Sequence, residues 1–312
     1  MAVTSPAAAP HLPNLLIIGV AKAATTSLFR YLAQHPDVCP ADLKELRYFS
    51  ALRYGEPLPP LETYSRHFSH HSGERYRMEA TPGYYAGGRT VAEAVDRLLP
   101  DARAIVSFRD PVQRCWSWYR FVRSTARIPK EMTFPEYVDR CVHLHREGTD
   151  GRRENQPFWG LGGGCYDTWL EPWLEVLGER LRVEYFEYVV SAPRDVVEDL
   201  CDWLGIDRTV CAGFSYAIEN KTVQYKNKRL QMGALFVNRR SERFFAQHPG
   251  LKRSLRSAYY RVNGDAAEVR MDAPTRERLT DFYAPHNQRL VTMLDAAGIA
   301  GRPDWLGTHR AA

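Results

Sequence analysis

The chain has 312 residues, of which 44% are hydrophobic and 25% are charged. These are ordinary values for a globular protein with a sizeable core, and the length suits one large α/β domain or two small ones. The formal net charge of +5 is small and scattered along the sequence, so it favours anionic ligands only weakly and argues against a nucleic-acid partner.

The N-terminal segment, residues 1–13, is rich in alanine and proline and has neither a basic stretch nor a long apolar core. It does not resemble a signal peptide, and we expect a disordered tail at 1–13 followed by a single domain at 14–312. The longest apolar run is far shorter than the roughly 20 residues of a membrane span. The six cysteines lack C-x-x-C and metal-ligand spacing, which predicts buried free thiols in a cytoplasmic protein.

The first predicted element is the apolar run 15–18, which is typical of a strand buried on both faces of a parallel sheet. Gly19 ends it, small residues follow, and the hydroxyl-rich stretch 25–27 opens a segment of helical spacing. Such a strand, turn and helix start present free N–H groups to an anion, and Lys22 adds a full positive charge. The lysine does not directly precede a hydroxyl residue, as a Walker A loop requires, so either a different phosphate loop or an ordinary connection is indicated.

Alternating strands and helices follow, which predicts a mainly parallel sheet and an α/β fold with ligands at the carboxyl ends of the strands. Two long loops, 51–71 and 148–164, are expected to serve a site. A C-terminal helical pattern at 273–297 is expected to be interrupted at Pro285. The other predicted strands lie at 75–79, 102–108 and 181–185, and the other predicted helices at 90–99, 112–122, 133–145, 166–177 and 192–204.

A second anion-binding pattern stands at the end of the predicted strand 102–108, where Arg109 is followed by Asp110 and Pro111. Pro111 suits the first turn of a helix, and Ser117 lies further along that helix. An arginine at a strand end and a serine on the next helix can converge on one phosphate, because arginine offers a forked donor. A structural Arg–Asp pair, with Ser117 as a plain helix residue, is the alternative.

The two patterns together resemble the donor site of the sulfotransferases that use 3′-phosphoadenosine 5′-phosphosulfate (PAPS). The loop is similar to their P-K-x-G-T-T segment, with Ala21 in place of the proline and Ala24 in place of the glycine. Alanine at position 24 costs roughly 1 kcal/mol if that residue needs positive φ. The second segment is similar to their 3′-phosphate motif, R-D-P-x-x-R-x-x-S-x-Y, and the 87 positions from Lys22 to Arg109 match the family's order and separation.

Three shorter segments resemble the glycosaminoglycan-type branch of that family, which many bacterial enzymes share. Residues 44–49 are similar to K/N-E-x-H-F-F, in which the glutamate is the catalytic base, and Glu45 matches it. Residues 79–84 are similar to E-K-[ST]-P-x-Y, with Ala80 in place of a lysine that lies near the reacting groups. Residues 164–173 resemble G-x-Y-x-x-x-L-x-x-W. Because Ala80 removes a cation, the polyanionic glycan acceptor of that branch is not carried over.

The resemblance implies a P-loop-like central parallel sheet flanked by helices, and in-line transfer of a sulfuryl group from PAPS. The group would go to a hydroxyl or, less readily, an amine of a small-molecule, lipid-like or glycan acceptor. Glu45 would take the acceptor proton, and Lys22 would stabilise the charge growing on the leaving phosphate. No metal is implied, because the lysine and the helix N-terminus supply positive charge. The residues assigned to the donor are Lys22, Ala23, Ala24, Thr25, Thr26, Ser27, Arg109, Ser117 and Tyr166.

Other functional classes stay open beside this one. A kinase-like phosphotransferase would need a Walker lysine and an acidic residue for magnesium, and the loop lacks that lysine. A catalytically silent nucleotide-binding protein would share every binding residue. The histidine cluster at 67–71 lacks a fourth metal ligand by spacing. The basic run at 221–229 either faces solvent or covers the donor phosphates.

The acceptor is predicted from the aromatic residues around the site, which suit an apolar body that presents one hydroxyl. We therefore expect a neutral acceptor, either a small molecule such as a secondary metabolite or a lipid-like compound, unless Arg53, Arg152 and Arg153 supply basic contacts. Partial burial of Glu45 is expected to raise its pKa. The aromatic residues are Tyr48, Phe49, Tyr84, Tyr85 and Trp159.

Overall fold

The computed structural model describes residues 11–217 and 270–307, together with 224–225, 227, 230–231, 233–234, 236–237, 255, 259 and 264–265. Most of the predicted N-terminal tail lies outside these residues. So do the four cations of the basic run, Lys221, Lys226, Lys228 and Arg229.

A five-stranded parallel sheet forms the centre, with strand order β2-β3-β1-β4-β5. β1 therefore lies between β3 and β4, and the carboxyl ends of the strands meet at one edge of the sheet. The strands are β1 (Leu15–Gly19), β2 (Val38–Pro40), β3 (Tyr76–Ala80), β4 (Arg103–Phe108) and β5 (Leu181–Tyr185). A separate antiparallel pair joins β6 (Gln224–Tyr225) to β7 (Gly264–Asp265).

Helices cover the sheet and connect its strands. The helices whose bounds fall on described residues are α1 (Thr25–Leu32), α2 (Glu62–Ser65), α3 (Gly88–Leu98), α4 (Pro111–Ser124), α5 (Phe134–Arg146), α6 (Asp167–Leu177), α7 (Phe186–Ser191), α8 (Pro193–Leu204) and α9 (Ala273–Ala296).

The alternation of side chains along β1 explains why its sequence is apolar throughout. Leu16 and Ile18 point into one hydrophobic cluster, with α3 and α6, while Leu15 and Ile17 point into a second cluster, with α1 and α8. All four side chains are fully buried. The strand is thus covered on both faces, as its continuous apolar run predicts.

The predicted α/β fold with a parallel sheet is confirmed, and the four predicted strands lie within one or two residues of their predicted bounds. β2 was not predicted, because three residues ending in proline are too few to show a pattern. The loop predicted at 51–71 contains α2 and 3-10 turns, and the loop at 148–164 contains 3-10 turns.

The predicted interruption at Pro285 is wrong, because α9 runs through that residue without a break. Pro285 is exposed, and so is Asp281, whose carbonyl loses its helical N–H partner. Solvent can hydrate that carbonyl, which makes the lost hydrogen bond tolerable. On the opposite face Tyr283 and Leu290 are buried and hold the helix on both sides of the proline.

Candidate functional site

The loop between β1 and α1 has the strand, turn and helix geometry that the sequence predicts. Lys22 and Ala24 both have positive φ, 76° and 59°, so Ala24 occupies the left-handed conformation that usually favours glycine. The side chains of Ala23 and Thr25 are buried, whereas Thr26 and Ser27 are half-buried. The first turn of α1 therefore presents two hydroxyl groups as well as its free N–H groups.

Lys22 projects from this loop toward α4. Its Nζ lies 4.8 Å from the centre of the Phe121 ring, in a cation–π contact. Burial, followed by the charges of Arg109 and Arg120, lowers its pKa to about 8, and Glu45 opposes that shift. The lysine thus lies close to two other cations. A bound anion would reduce the repulsion among these three positive charges.

Arg109 follows β4 and reaches back to the loop after β1. Its Nη1 donates to the backbone carbonyl of Lys22 at 3.0 Å, and its guanidinium lies 3.9 Å from the centre of the Phe186 ring. Its Nε is buried without a hydrogen-bond partner in the described part of the chain. Two segments that are 87 residues apart therefore form one cationic surface.

Tyr166 lies behind Arg109. It is 1% exposed, its hydroxyl donates to the carbonyl of Arg109 at 2.7 Å, and its ring stacks on Phe108 with centres 4.6 Å apart. Its contacts support the backbone of Arg109, and its assignment to the donor stays a prediction.

α4 begins as the sequence predicts, with Asp110 as N-cap and Pro111 in the first turn. Arg114 points away from the site: it is buried, and its Nη2 donates to the carbonyls of Trp159 and Gly160 at 3.2 and 2.6 Å. It therefore holds the loop 148–164 in place. Ser117 is half-buried and stands one turn before Phe121, on the side of α4 that meets Lys22.

A cavity of about 480 Å³ opens beside Arg109. Its walls come from the residues after β4, from the residues after β5, and from the C-terminal segment 303–305. Phe186, Tyr188 and Trp305 contribute aromatic surface. The sequence did not single out these aromatic residues, and the position of Phe186 directly after the predicted strand 181–185 was the signal that could have found them.

The segment 44–49 is attached to the end of β3 by its backbone. Both Glu45 and Arg47 have positive φ, 65° and 59°. This conformation turns alternate N–H groups toward residues 79–84. The three hydrogen bonds join Glu45 N to Ala80 O at 3.0 Å, Arg47 N to Thr81 Oγ1 at 3.1 Å and Phe49 N to Tyr84 OH at 3.3 Å.

The Glu45 side chain lies between two cations. Its Oε1 is 3.5 Å from Lys44 Nζ, and its Oε2 accepts from Arg47 Nη2 at 2.9 Å. Burial by itself raises the pKa of Glu45, but Lys44 and Arg47 outweigh burial, so the pKa is lowered from its ordinary value. The expected increase is therefore wrong. Glu45 is ionised at neutral pH and can accept a proton there.

The aromatic residues predicted to line an acceptor pocket lie mostly in the core. The exposed fractions of Tyr48, Phe49, Tyr84 and Tyr85 are between 0 and 6%. Their rings pack against one another, against Tyr64 or against other core side chains, as the ring contacts of Tyr48, Phe49 and Tyr84 illustrate. Their role as pocket walls is not supported by this packing.

Trp159 is 9% exposed, and the guanidinium of Arg53 lies 4.4 Å from the centre of one of its rings. Arg53 therefore covers the indole. This contact adds a cation to the surface where the sequence predicted an aromatic wall.

The histidines of the cluster at 67–71 each have a hydrogen-bond partner. His67 pairs with Asp42, His70 with a carbonyl of β2, and His71 with the carbonyl of Glu74.

Within the described ranges, no three potential metal ligands come together, and no helix is both long and apolar enough to cross a membrane. All six cysteines are buried and free.

Comparison with known proteins finds sulfotransferases. The membrane-associated sulfotransferase kil1 of Dictyostelium discoideum is 29% identical over 167 residues, which cover 49% of this chain and 34% of that protein. Heparan sulfate glucosamine 3-O-sulfotransferase 3B1 of Mus musculus is 27% identical over 223 residues, which cover 70% of this chain and 52% of that protein. The chain thus spans between about a third and a half of the length of these two relatives. No protein-family model matches the chain.

The fold is similar to that of a solved bacterial protein, the sulfotransferase from Alicyclobacillus acidocaldarius. The two structures superpose with a TM-score of 0.64 over 91% of this chain and 96% of that one, at 24% sequence identity. The predicted P-loop-like fold is confirmed by the structural match, and the resemblance to sulfotransferases is confirmed by the curated relatives.

Proposed function

We propose that this chain, a relative of the PAPS-dependent sulfotransferases, transfers a sulfuryl group from PAPS to an acceptor hydroxyl. In this reaction a bond forms between the acceptor oxygen and sulfur, and the bond between sulfur and the 5′-phosphate oxygen breaks. The acceptor loses its proton, and adenosine 3′,5′-bisphosphate leaves.

The observation that carries the proposal is the junction of Lys22 and Arg109. Both residues lie at the edge of the sheet where β1 and β4 end. The hydrogen bond from Arg109 to the carbonyl of Lys22 joins the loop after β1 to the end of β4. Parallel sheets bind ligands at this edge, and a donor with two phosphate groups matches two adjacent cationic positions.

The two positions have different roles in the proposed site. Lys22, with Thr26, Ser27 and the free N–H groups of α1, stabilises the negative charge that grows on the 5′-phosphate oxygen as sulfur departs. Arg109 and Ser117 bind the 3′-phosphate, and the hydrogen bond from Arg109 Nη1 to the carbonyl of Lys22 holds the guanidinium beside the loop. We assign the nucleoside to the cavity of about 480 Å³ beside Arg109.

Glu45 is the proposed general base. It is ionised at neutral pH, 41% of its side-chain surface is exposed, and its charge interacts with that of Lys22. A carboxylate close to the group that stabilises the departing phosphate can take the acceptor proton as the new bond forms. Its lowered pKa makes it a weak base, so it acts late, when the acceptor oxygen has become acidic through bonding to sulfur.

Two acceptor classes compete. The first class is a neutral, apolar acceptor, such as a secondary metabolite. The sequence favours it through aromatic residues, but the structure buries most of them in the core. Exposed cations favour the second class, an acceptor that carries a carboxylate, phosphate or sulfate beside its hydroxyl. Arg47 has a 69% exposed side chain next to Glu45, Arg127 lies close enough to Arg47 for their charges to interact, and Arg53 covers Trp159.

The test is sulfation itself, measured by mass spectrometry after incubation with PAPS and paired acceptors that differ only in an anionic group. Wild type should add one sulfuryl group, and Lys22→Ala and Glu45→Gln should each lower turnover by about 100-fold or more. Glu175→Gln, which alters an exposed glutamate on α6, is the matched control and should keep the wild-type rate.

Turnover of Glu45→Gln at the wild-type rate would remove Glu45 as the base. Phosphoryl transfer from ATP, without any sulfation, would replace the proposal by a kinase. Preference for the neutral member of each acceptor pair would restore the apolar acceptor class.

A further inference from the structure

Glu79 is a buried carboxylate at the end of β3 that the proposed mechanism leaves without a role. It is fully buried, and neither of its oxygens makes a hydrogen bond to a described residue. The hydroxyl of Tyr64, which faces it from α2, is also buried without a partner. A buried carboxylate is costly when it is ionised, so the groups around Glu79 decide its ionisation.

The surroundings of Glu79 are defined by three elements. Tyr64 faces it from α2, Thr81 and Tyr84 face it from the segment after β3, and Lys44 faces it from the segment that carries Glu45. On the remaining side its strand neighbour is the apolar Leu16 of β1. The charge of Lys44 favours ionisation of Glu79.

Lys44 connects Glu79 to the proposed base. Its ammonium is 3.5 Å from Glu45 Oε1, and it interacts with the charges of Glu79 and of Arg30 on α1 as well. The charge of Lys44 therefore interacts with two carboxylates. Glu79 is buried, and Glu45 lies at the proposed site. The backbone bonds from Glu45 and Arg47 to Ala80 and Thr81 keep this geometry rigid.

We propose that Glu79 is a positioning residue for the transfer step: its ionisation decides how much of the Lys44 charge acts on Glu45, and so sets the strength of that base. This inference rests on the proposed function, in which Glu45 accepts the acceptor proton.

The expected direction follows from the two forms of Glu79. Burial raises the pKa of Glu79 to about 7, although the nearby hydroxyls and Lys44 favour the ionised form. Below that pH Glu79 is neutral, Lys44 acts on Glu45 alone, and Glu45 is a weaker base. Above that pH Lys44 is shared, Glu45 is a stronger base, and the transfer step is faster.

The experiment is the pH profile of kcat between pH 5.5 and 8 for wild type and Glu79→Gln. In wild type, kcat should rise by about three- to tenfold with a midpoint near pH 7. A change of one pKa unit in the base Glu45 changes the rate by at most about tenfold. Glu79→Gln should lack this rise while its KM for PAPS stays unchanged. Lys44→Met keeps Glu79 but removes the connection, so it should lack the rise as well.

Glu184→Gln is the matched control. Glu184 is also a buried glutamate near the end of a sheet strand with a raised pKa, but it pairs with Arg182 on β5 and does not face Lys44. Its variant should keep the rise. A Glu79→Gln profile that rises like that of wild type, or one that is lowered equally at every pH, would overturn the inference.

A second measurement tests the ionisation of Glu79 without turnover. Because its pKa in the folded protein is raised above the ordinary 4.5, wild type should lose stability toward urea as pH rises from 4.5 through 7. Glu79→Gln should lose less over that range, and equal losses would overturn the inference. Sulfation by wild type together with a failure of these tests contradicts this inference alone, whereas no sulfation by wild type contradicts the proposed function itself.

Discussion

Ala24 illustrates how one residue carries strain at the proposed site. Its φ of 59° places an alanine in the left-handed region at the start of α1, where the family motif has glycine. We predict that Ala24→Gly increases the free energy of unfolding by about 1 kcal/mol, since glycine adopts this conformation without the steric cost of Cβ. Urea denaturation monitored by circular dichroism gives the value.

Ala126→Gly is the control for this substitution, because Ala126 also has positive φ, 55°, but lies outside the loop after β1. Similar gains at both positions would assign the effect to backbone strain. A loss of stability in Ala24→Gly would contradict the strain interpretation.

The pKa of Lys22 leads to a prediction about alkaline pH. Burial and the neighbouring Arg109 and Arg120 lower it to about 8, so the lysine loses its charge as pH rises through 8. If the protonated form stabilises the departing phosphate, kcat/KM should fall on the alkaline side with an apparent pKa near 8. Lys22→Arg stays charged over this range, so its profile should remain flat to pH 10 even if its rate is lower.

The measurement is kcat/KM from pH 7 to 10 for both proteins. An unchanged alkaline decrease in Lys22→Arg would assign the decrease to another group. This alkaline limb is distinct from the rise near pH 7 that is attributed to Glu79.

At the scale of elements, a charged cluster attaches α9 to α6. Asp167 is 7% exposed, it accepts from Arg289 Nε at 2.7 Å, and its other oxygen lies 2.8 Å from His286 Nδ1. Burial by itself raises the pKa of Asp167, but the hydrogen bonds with His286 and Arg289 outweigh it, so the pKa is lowered. We predict that Asp167→Asn lowers the free energy of unfolding by about 1.5–3 kcal/mol at neutral pH, because it removes the charged acceptor of the hydrogen bond from Arg289.

The pH dependence provides a second check on this cluster. Since the folded-state pKa of Asp167 is below 3.8, the contribution is fully present above that pH and is lost as pH falls through the lowered value. Asp139→Asn removes an exposed ion pair with Arg278 of the same helix and should cost at most about 1 kcal/mol. Equal costs for the two variants in urea would contradict the special role of Asp167.

Elements with a strong apolar pattern were predictable, and those without one were not. β1 and β5 have the predicted strand bounds to within one residue, because each has a continuous or alternating run of buried side chains. β2 is a three-residue edge strand whose pairing with β3 depends on tertiary contact. The continuity of α9 through Pro285 likewise depends on which side of the helix faces solvent.

At the scale of the whole molecule, donor binding should stabilise the fold. The proposed ligand connects the loop after β1 with the end of β4, so it acts only on the folded state. Adenosine 3′,5′-bisphosphate should raise the melting temperature more than 5′-AMP does, because Arg109 and Ser117 are assigned to its 3′-phosphate. Arg109→Ala should weaken binding by about 10- to 100-fold, the usual cost of a charge-assisted hydrogen bond.

Calorimetry measures the affinity of both nucleotides for wild type, Arg109→Ala and Arg89→Ala. It separates a specific contact of Arg109 with the 3′-phosphate from a general effect of removing a positive charge. Arg89 lies on α3 with an exposed ion pair to Glu175, so its removal should leave both affinities unchanged. Equal affinity of wild type for the two nucleotides would contradict the assignment of Arg109 to the 3′-phosphate.

The sequence by itself determined the local features that place charges at the ends of strands. The apolar run before Gly19, the hydroxyl residues that open α1, and the Asp110–Pro111 start of α4 are local patterns, and each appears at its predicted position. Such features follow from backbone geometry and nearest neighbours, which a sequence shows directly.

Only the tertiary structure decided which of these segments contact one another and what the pKa values of their charged side chains are. The bond from Arg109 to the carbonyl of Lys22, the lowered pKa of Lys22, and the burial of Tyr84 all depend on residues distant in sequence. A pKa depends on the balance of burial against neighbouring charge, and that balance changes sign with the position of one cation. For this reason the sequence could identify Glu45, whereas the proposed role of Glu79 rests on the charge of Lys44, which interacts with both carboxylates.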